Sequence, residues 1–122
     1  MIGWLKNLND ASRLTSINEA SRISGISAKA IEKDWWVTLS LKLVFNTANA
    51  KHFAFKGGTS LSKGWQLIDR FSEDIDISLS SEAVGIAYVE KPSKTFVEQL
   101  RRAGCSFTSN ELLEALKTEF RK

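Results

Sequence analysis

The sequence predicts a helix-rich α/β chain of the α+β kind, and three observations carry that prediction. From Ser27 to about Asn46, apolar residues recur at helical spacing. Residues 52–56, HFAFK, form a short aromatic run stopped by Gly57-Gly58, and Asp74 to Leu79 alternates as D-I-D-I-S-L. A helix, a strand, a tight turn, a second helix and a second strand follow one another within 122 residues, a length that suits one domain.

Each element has a local cause. Ser16-Ile17-Asn18-Glu19 fits a capping box, so a short helix is predicted over 17–24 with Gly25 ending it. The next helix carries Ile31, Trp35, Leu39 and Leu43 on one stripe, widened by Trp36 and Val44, and its tryptophans read as core. HFAFK reads as a strand that delivers the chain to the glycines. The following helix is predicted to begin near Thr59, with Leu61, Trp65 and Ile68 on one face, Ser62, Lys63 and Gln66 towards another, and Arg70-Phe71 closing it. In the strand from Asp74, the alternation sends Ile75, Ile77 and Leu79 inward and leaves Asp74, Asp76 and Ser78 on the opposite face. Residues 80–91 read as a loop or irregular strand, and a helix over 93–103 follows the sole proline, Pro92. Thr108 to Phe120 reads as a separate helix capped by Thr108-x-x-Glu111. Its apolar face, Leu112, Leu113, Leu116 and Phe120, requires a partner, either the domain itself or a second copy of the chain.

Composition narrows the function. No run of apolar residues is long enough to span a membrane, and MIGWLKNLNDASR lacks the order of a signal peptide, so a cytoplasmic protein is expected. One cysteine and one histidine exclude an internal disulfide and a Cys/His metal site, so any metal is held by oxygen. The net charge of +3 is uneven: residues 1–56 carry eight Lys/Arg against four Asp/Glu, and residues 57–122 carry nine against ten. The mildly basic first half suits a polyanion but contains no recognition helix or basic-aromatic pattern for a dedicated nucleic-acid binder.

The chemistry lies in KGGTSLSKGWQLIDRFSEDIDISL, residues 56–79. Carboxylates two apart on a strand project the same way with Cα atoms about 6.5–7 Å apart, close enough to share a cation. Magnesium prefers oxygen and uses one or two carboxylates plus substrate phosphates; two such ions about 3.5–4 Å apart can clamp a phosphoryl displacement. Asp74 and Asp76 are therefore the candidate metal ligands and catalytic residues, while Glu73 faces the other way. Gly57 and Gly58 let the backbone approach a triphosphate, and the helix start behind them offers free N–H groups. Thr59 or Ser60 supplies a hydroxyl, and Lys56, Lys63 or Arg70 offsets charge, with Lys63 placed in the candidate NTP-binding set.

Taken together, the Gly-Gly turn and Asp-x-Asp resemble the signature of the DNA polymerase β-like nucleotidyltransferase superfamily. More narrowly, Ile31-Glu32-Lys33-Asp34-Trp35-Trp36, Phe55-Lys56-Gly57-Gly58-Thr59-Ser60-Leu61 and Arg70-Phe71-Ser72-Glu73-Asp74-Ile75-Asp76 are similar to the AbiEii/AbiGii toxin family, densely over residues 20–80. The resemblance implies a nucleotidyltransferase fold, a small mixed sheet with helices packed on one face. It also implies a toxin of type IV toxin–antitoxin or abortive-infection systems, neutralised by a cognate antitoxin protein. Some members move a nucleotide from an NTP to RNA, notably the acceptor end of tRNA. By position, it implies Gly57, Gly58 and Thr59 or Ser60 at the triphosphate and Asp74 and Asp76 at Mg2+. Lys33 and Asp34 match the upstream helix, where a helix-surface ion pair or a cap accounts for them equally well.

Family members are usually longer, with later lysine and acidic motifs that this sequence lacks, so the chain reads as truncated. The superfamily's third carboxylate has only Glu82 and Glu90 as nearby candidates. Two readings follow: a Mg-dependent nucleotidyltransferase acting on an RNA, by family analogy tRNA, or on a protein hydroxyl; and an inactive module of the same fold that binds NTP or a protein partner.

Overall fold

The computed structural model describes residues 2–66 and 73–122. Ile68, Arg70 and Phe71, assigned from sequence to the helix after the glycines and to its end, lie outside the described residues. The chain divides into two compact units, Met1–Lys42 with Gly57–Asp76, and Leu43–Lys56 with Ile77–Lys122. Among the described residues no helix is long and apolar enough to cross a membrane.

The first unit begins with α1 (Ile2–Asn7) and α2 (Asp10–Ser24). Helix α2 starts well before Ile17, because Asn9, an N-cap residue as strong as serine, accepts from the Ser12 N–H at 2.8 Å. Nothing between Asp10 and Ser16 breaks the helix, so Ser16 is an interior residue donating to the Ser12 carbonyl at 3.0 Å. Glu19 does not reach back to a cap; it pairs with Arg22 at 2.7 Å. The other end is as predicted: Gly25, at φ +73°, donates its N–H to the Ser21 carbonyl at 2.9 Å.

Helix α3 (Ala28–Asn46) has its core at the predicted stripe, with Leu39 at 1% exposure and Val37 also buried. Trp35 is half-buried and packs on Trp4 with ring centroids 4.7 Å apart. Trp36 departs from the core reading, with 42% of its surface exposed.

After β1 (Phe53–Lys56), the chain turns at Gly57 into α4 (Gly57–Thr59), which runs on as a π turn over Ser60–Gly64. The helix thus starts two residues before the predicted Thr59. Its wide winding turns Leu61 and Trp65 outward, Trp65 to 71% exposure, while Ser62 and Lys63 are half-buried.

In the second unit β1 and β2 (Asp76–Leu79, its first residue in the first unit) form a two-stranded antiparallel sheet, extended by a Ser80 N–H to His52 carbonyl bond of 2.8 Å. The small mixed sheet expected from the resemblance is, among the described residues, this one pair. Strand β2 starts at Asp76 rather than Asp74, although the alternation of exposed and half-buried residues extends from Asp74 through Ser80. Phe53 meets Phe45 at 6.3 Å and Phe107 at 6.4 Å, and Phe107, Leu43 and Val44 are buried.

A short 3-10 turn, Ser81–Val84, follows β2, and Ser93 caps α5 (Lys94–Phe107) by accepting from the Phe96 N–H at 3.1 Å. Thr108 does not start a separate helix. A π turn, Thr108–Leu112, joins α5 to α6 (Leu113–Arg121), and the Thr108 hydroxyl donates back to the Gly104 carbonyl at 2.9 Å. Of the predicted apolar face, Leu112 and Leu116 are half-buried, whereas Leu113 and Phe120 are exposed.

The two cap assignments are separable by measurement. Asn9→Ala is expected to cost about 1 kcal/mol in urea unfolding, whereas Ser16→Ala, which removes only a back-bond inside a helix, changes stability by a few tenths of that. Leu39→Ala, at a fully buried position, is expected to cost about 2–5 kcal/mol in the same assay.

Candidate functional site

Of the residues singled out by sequence, Gly57, Gly58, Thr59, Ser60, Lys63, Asp74 and Asp76 belong to the first unit, and glycine is what lets the turn and Asp76 pack together. Gly57 adopts φ +80°, in the left-handed region where a side chain is strained. A Cβ added there would lie 3.1 Å from Cγ of Asp76 and closer still to its Oδ2. The Asp76 carboxylate therefore occupies the space a side chain at Gly57 would fill, and the Gly-Gly turn and Asp-x-Asp pack as one unit. Thr59, buried to 1% exposure, adds a second tie by donating its hydroxyl to the backbone carbonyl of Asp74. Ser60 is buried beside it, and Gly58 is half-buried.

Two ion pairs from α3 hold the same segment. Lys33 reaches Glu73 at 2.7 Å, and Asp34 reaches Lys63 at 2.6 Å. Neighbouring helix residues project about 100° apart, so one dipeptide can grip both sides of the site. These long-range pairs replace the helix-surface pair or cap read from sequence for Lys33-Asp34. Both are partly exposed, and pairs of that kind contribute about 0–1 kcal/mol, so their main effect is positional. Lys33, by its hydrogen bond and then its charge, holds the Glu73 carboxyl below the usual carboxylate range, with a smaller pull from Lys29.

Asp74 and Asp76 are exposed. Asp74 shares a surface hollow of about 270 Å³ with Lys33, Trp36, Val37 and Glu73. Their oxygens are the donor set that a hard cation takes, and two carboxylates match a magnesium shell completed by phosphate rather than an all-protein cage. Among the described residues there is no group of three or more His, Cys, Asp or Glu that could hold a metal ion. Of the residues weighed as a third carboxylate, Glu82 lies in the 3-10 turn and Glu90 in irregular chain of the second unit. Lys56 ends β1, and Arg70 lies outside the described residues. Sequence reasoning missed the role of Glu73 as an anchor, and only its place beside Asp74 hinted at one.

An acidic pair packed on a glycine-initiated turn, within a helix-rich α/β chain, is the setting for the comparison with known proteins. Residues 43–122, which include both glycines, Lys63 and both aspartates, match the family model described as nucleotidyl transferase AbiEii toxin, type IV TA system. The match makes the class a nucleotidyltransferase-type toxin, and the chain belongs to the AbiEii family. The match begins after Lys33 and Asp34, so it holds Glu73 and Lys63 but not their ion-pair partners on α3. No curated protein and no solved structure matches.

Gly57→Ala is expected to cost about 1–3 kcal/mol in chemical unfolding, from the left-handed backbone and the crowding of Asp76 together. Adding Asp76→Ala should recover the crowding part, read as a favourable coupling in a double-mutant cycle. For Glu73 the folded pKa is lowered, so its contribution is present above the ordinary glutamate value of about 4.3 and is lost as pH falls through the folded value. The stability difference between the wild type and Glu73→Gln should accordingly be measurable at pH 7 and close towards zero at the acid end of a pH series.

Proposed function

We propose that the chain is a Mg-dependent nucleotidyltransferase that moves a nucleotide from an NTP to a hydroxyl of RNA, tRNA by family analogy, or of protein. The observation that carries the reading is the packing of the Asp76 carboxylate into the space left open by Gly57, which sets an acidic group beside a backbone able to approach phosphate. Membership of the AbiEii family supports the same class of chemistry.

In this reading, Asp74 and Asp76 hold magnesium, which when bound neutralises charge on the phosphates. Backbone N–H groups at Gly57 and Gly58 cradle the triphosphate. The hydroxyl of Thr59 is committed to Asp74, so Thr59 serves mainly by fixing that aspartate's backbone, and Ser60 lies beside it. Lys63, oriented by its ion pair with Asp34, supplies the cation for the polyphosphate. The acceptor oxygen forms a bond to the α-phosphorus, the bond to pyrophosphate breaks with its electron pair leaving on pyrophosphate, and the acceptor's proton passes to water. Such chemistry belongs in the cytoplasm, where NTP and tRNA meet, and a type IV system supplies a cognate antitoxin as partner.

A second reading keeps binding without turnover. It is favoured by the pairing of Glu73, the acidic residue beside Asp74, with Lys33 at 2.7 Å, which commits that carboxylate to an ion pair. In that case the exposed Leu113 and Phe120 of α6 serve a protein contact, including one with a second copy of this chain.

Incubation with labelled NTPs, magnesium and total tRNA distinguishes the two. Transfer of label is expected, and Asp74→Ala or Asp76→Ala should lower its rate by more than about 100-fold, since even outer-shell partners of a metal site commonly cost about 10–100-fold. Calorimetric binding of NTP with no transfer to RNA or protein would favour the second reading.

A further inference from the structure

Trp36 stands apart from the other aromatic residues of α3. Its ring meets that of Trp35 at 4.9 Å and 83°, an edge-to-face contact that fixes its orientation, yet 42% of its surface remains exposed. It lines two hollows of the first unit. One, about 270 Å³, it shares with Asp74, Lys33 and Glu73. The other, about 300 Å³, it shares with Trp4, Trp35 and Glu32. A large exposed indole in a fixed pose beside a candidate catalytic carboxylate is unusual for a residue whose helical spacing suits the core.

A nucleotide presents two chemically different ends. The glycine turn, Lys63 and the two aspartates address the polyphosphate, and none of them offers a flat apolar surface. The base requires one, and aromatic stacking is the sequence-tolerant way to supply it, since every base has a π-face. Trp36 and Asp74 line the same hollow, so a ligand with a phosphate at Asp74 can reach the indole without leaving it. Lys33 and Glu73 border that hollow as a paired donor and acceptor at its polar edge.

We infer that Trp36 is the stacking platform for the nucleobase of the bound nucleotide. The inference rests on the nucleotide reading above and adds to it a base subsite on α3, outside the stretch matched by the family model. Trp36 here contributes affinity for the base and none for the phosphates.

The test uses the full 122-residue chain and calorimetric titration, in magnesium, with ATP, GTP, CTP, UTP and inorganic tripolyphosphate. Trp36→Leu, which keeps an apolar side chain but removes the ring, is expected to weaken binding of the preferred NTP by about tenfold or more. Its affinity for tripolyphosphate should stay unchanged, and Trp36→Phe should retain most of the NTP affinity. Nucleotide should also quench the tryptophan emission of the wild type, with a smaller quench in Trp36→Phe. That arm stands even where Trp36→Leu fails to fold. Equal NTP affinity in wild type and Trp36→Leu, or an equal loss for tripolyphosphate, would overturn the base subsite and leave the nucleotide reading intact. Binding of neither NTP nor tripolyphosphate by the wild type would overturn both.

Discussion

The first unit is organised by two adjacent charges of opposite sign on one helix turn. Lys33 and Asp34 hold Glu73 and Lys63 at 2.7 and 2.6 Å, so residues far apart in sequence are fixed relative to a single rigid element. A partly exposed ion pair stabilises weakly, because solvent screens it and two long side chains lose freedom in making it. Position is a different matter. A helix has one rise and one twist per residue, so anchoring two segments to consecutive positions sets their separation along the axis and the angle between them. Thr59 completes the arrangement from within the segment by holding the backbone of Asp74.

The parts legible in the sequence are those set by local rules. The stripe of α3 predicted its extent to within a residue, because Leu39 and its neighbours repeat at helical spacing with no competing signal. Gly25 was readable for a similar reason, since few residues other than glycine end a helix in the left-handed region. The start of α2 was not readable. Asn9 and Ser16 are chemically equivalent caps, and α2 buries no residue whose spacing would choose between them. The C-terminal helix misled for another reason: Thr108, Ser109 and Asn110 look like a break, but a π turn carries the backbone through them.

The candidate site divides in the same way. The alternation of exposed and half-buried residues persists from Asp74 although the strand itself begins only at Asp76, but it fails at Glu73, which it sends to the other face and which shares a hollow with Asp74. Pairings across long sequence separations leave no local mark. Lys33 and Glu73 lie 40 residues apart, and each alone reads as a solvated charge. Trp36 shows the same limit from the other side, because helical spacing makes an indole look like core whether or not anything covers it.

The fit between Gly57 and Asp76 is sterically one-sided. Shortening the aspartate relieves this contact and leaves an open space over the glycine; a glycine cannot be lengthened without displacing the carboxylate that rests on it. Two lesions that abolish the same acidic group are thus physically unlike. One leaves an intact surface lacking its chemistry, and the other disturbs the surface itself. Removing a charge and removing a contour are therefore separable at this point of the fold, the first by a change at Asp76 and the second by a change at Gly57.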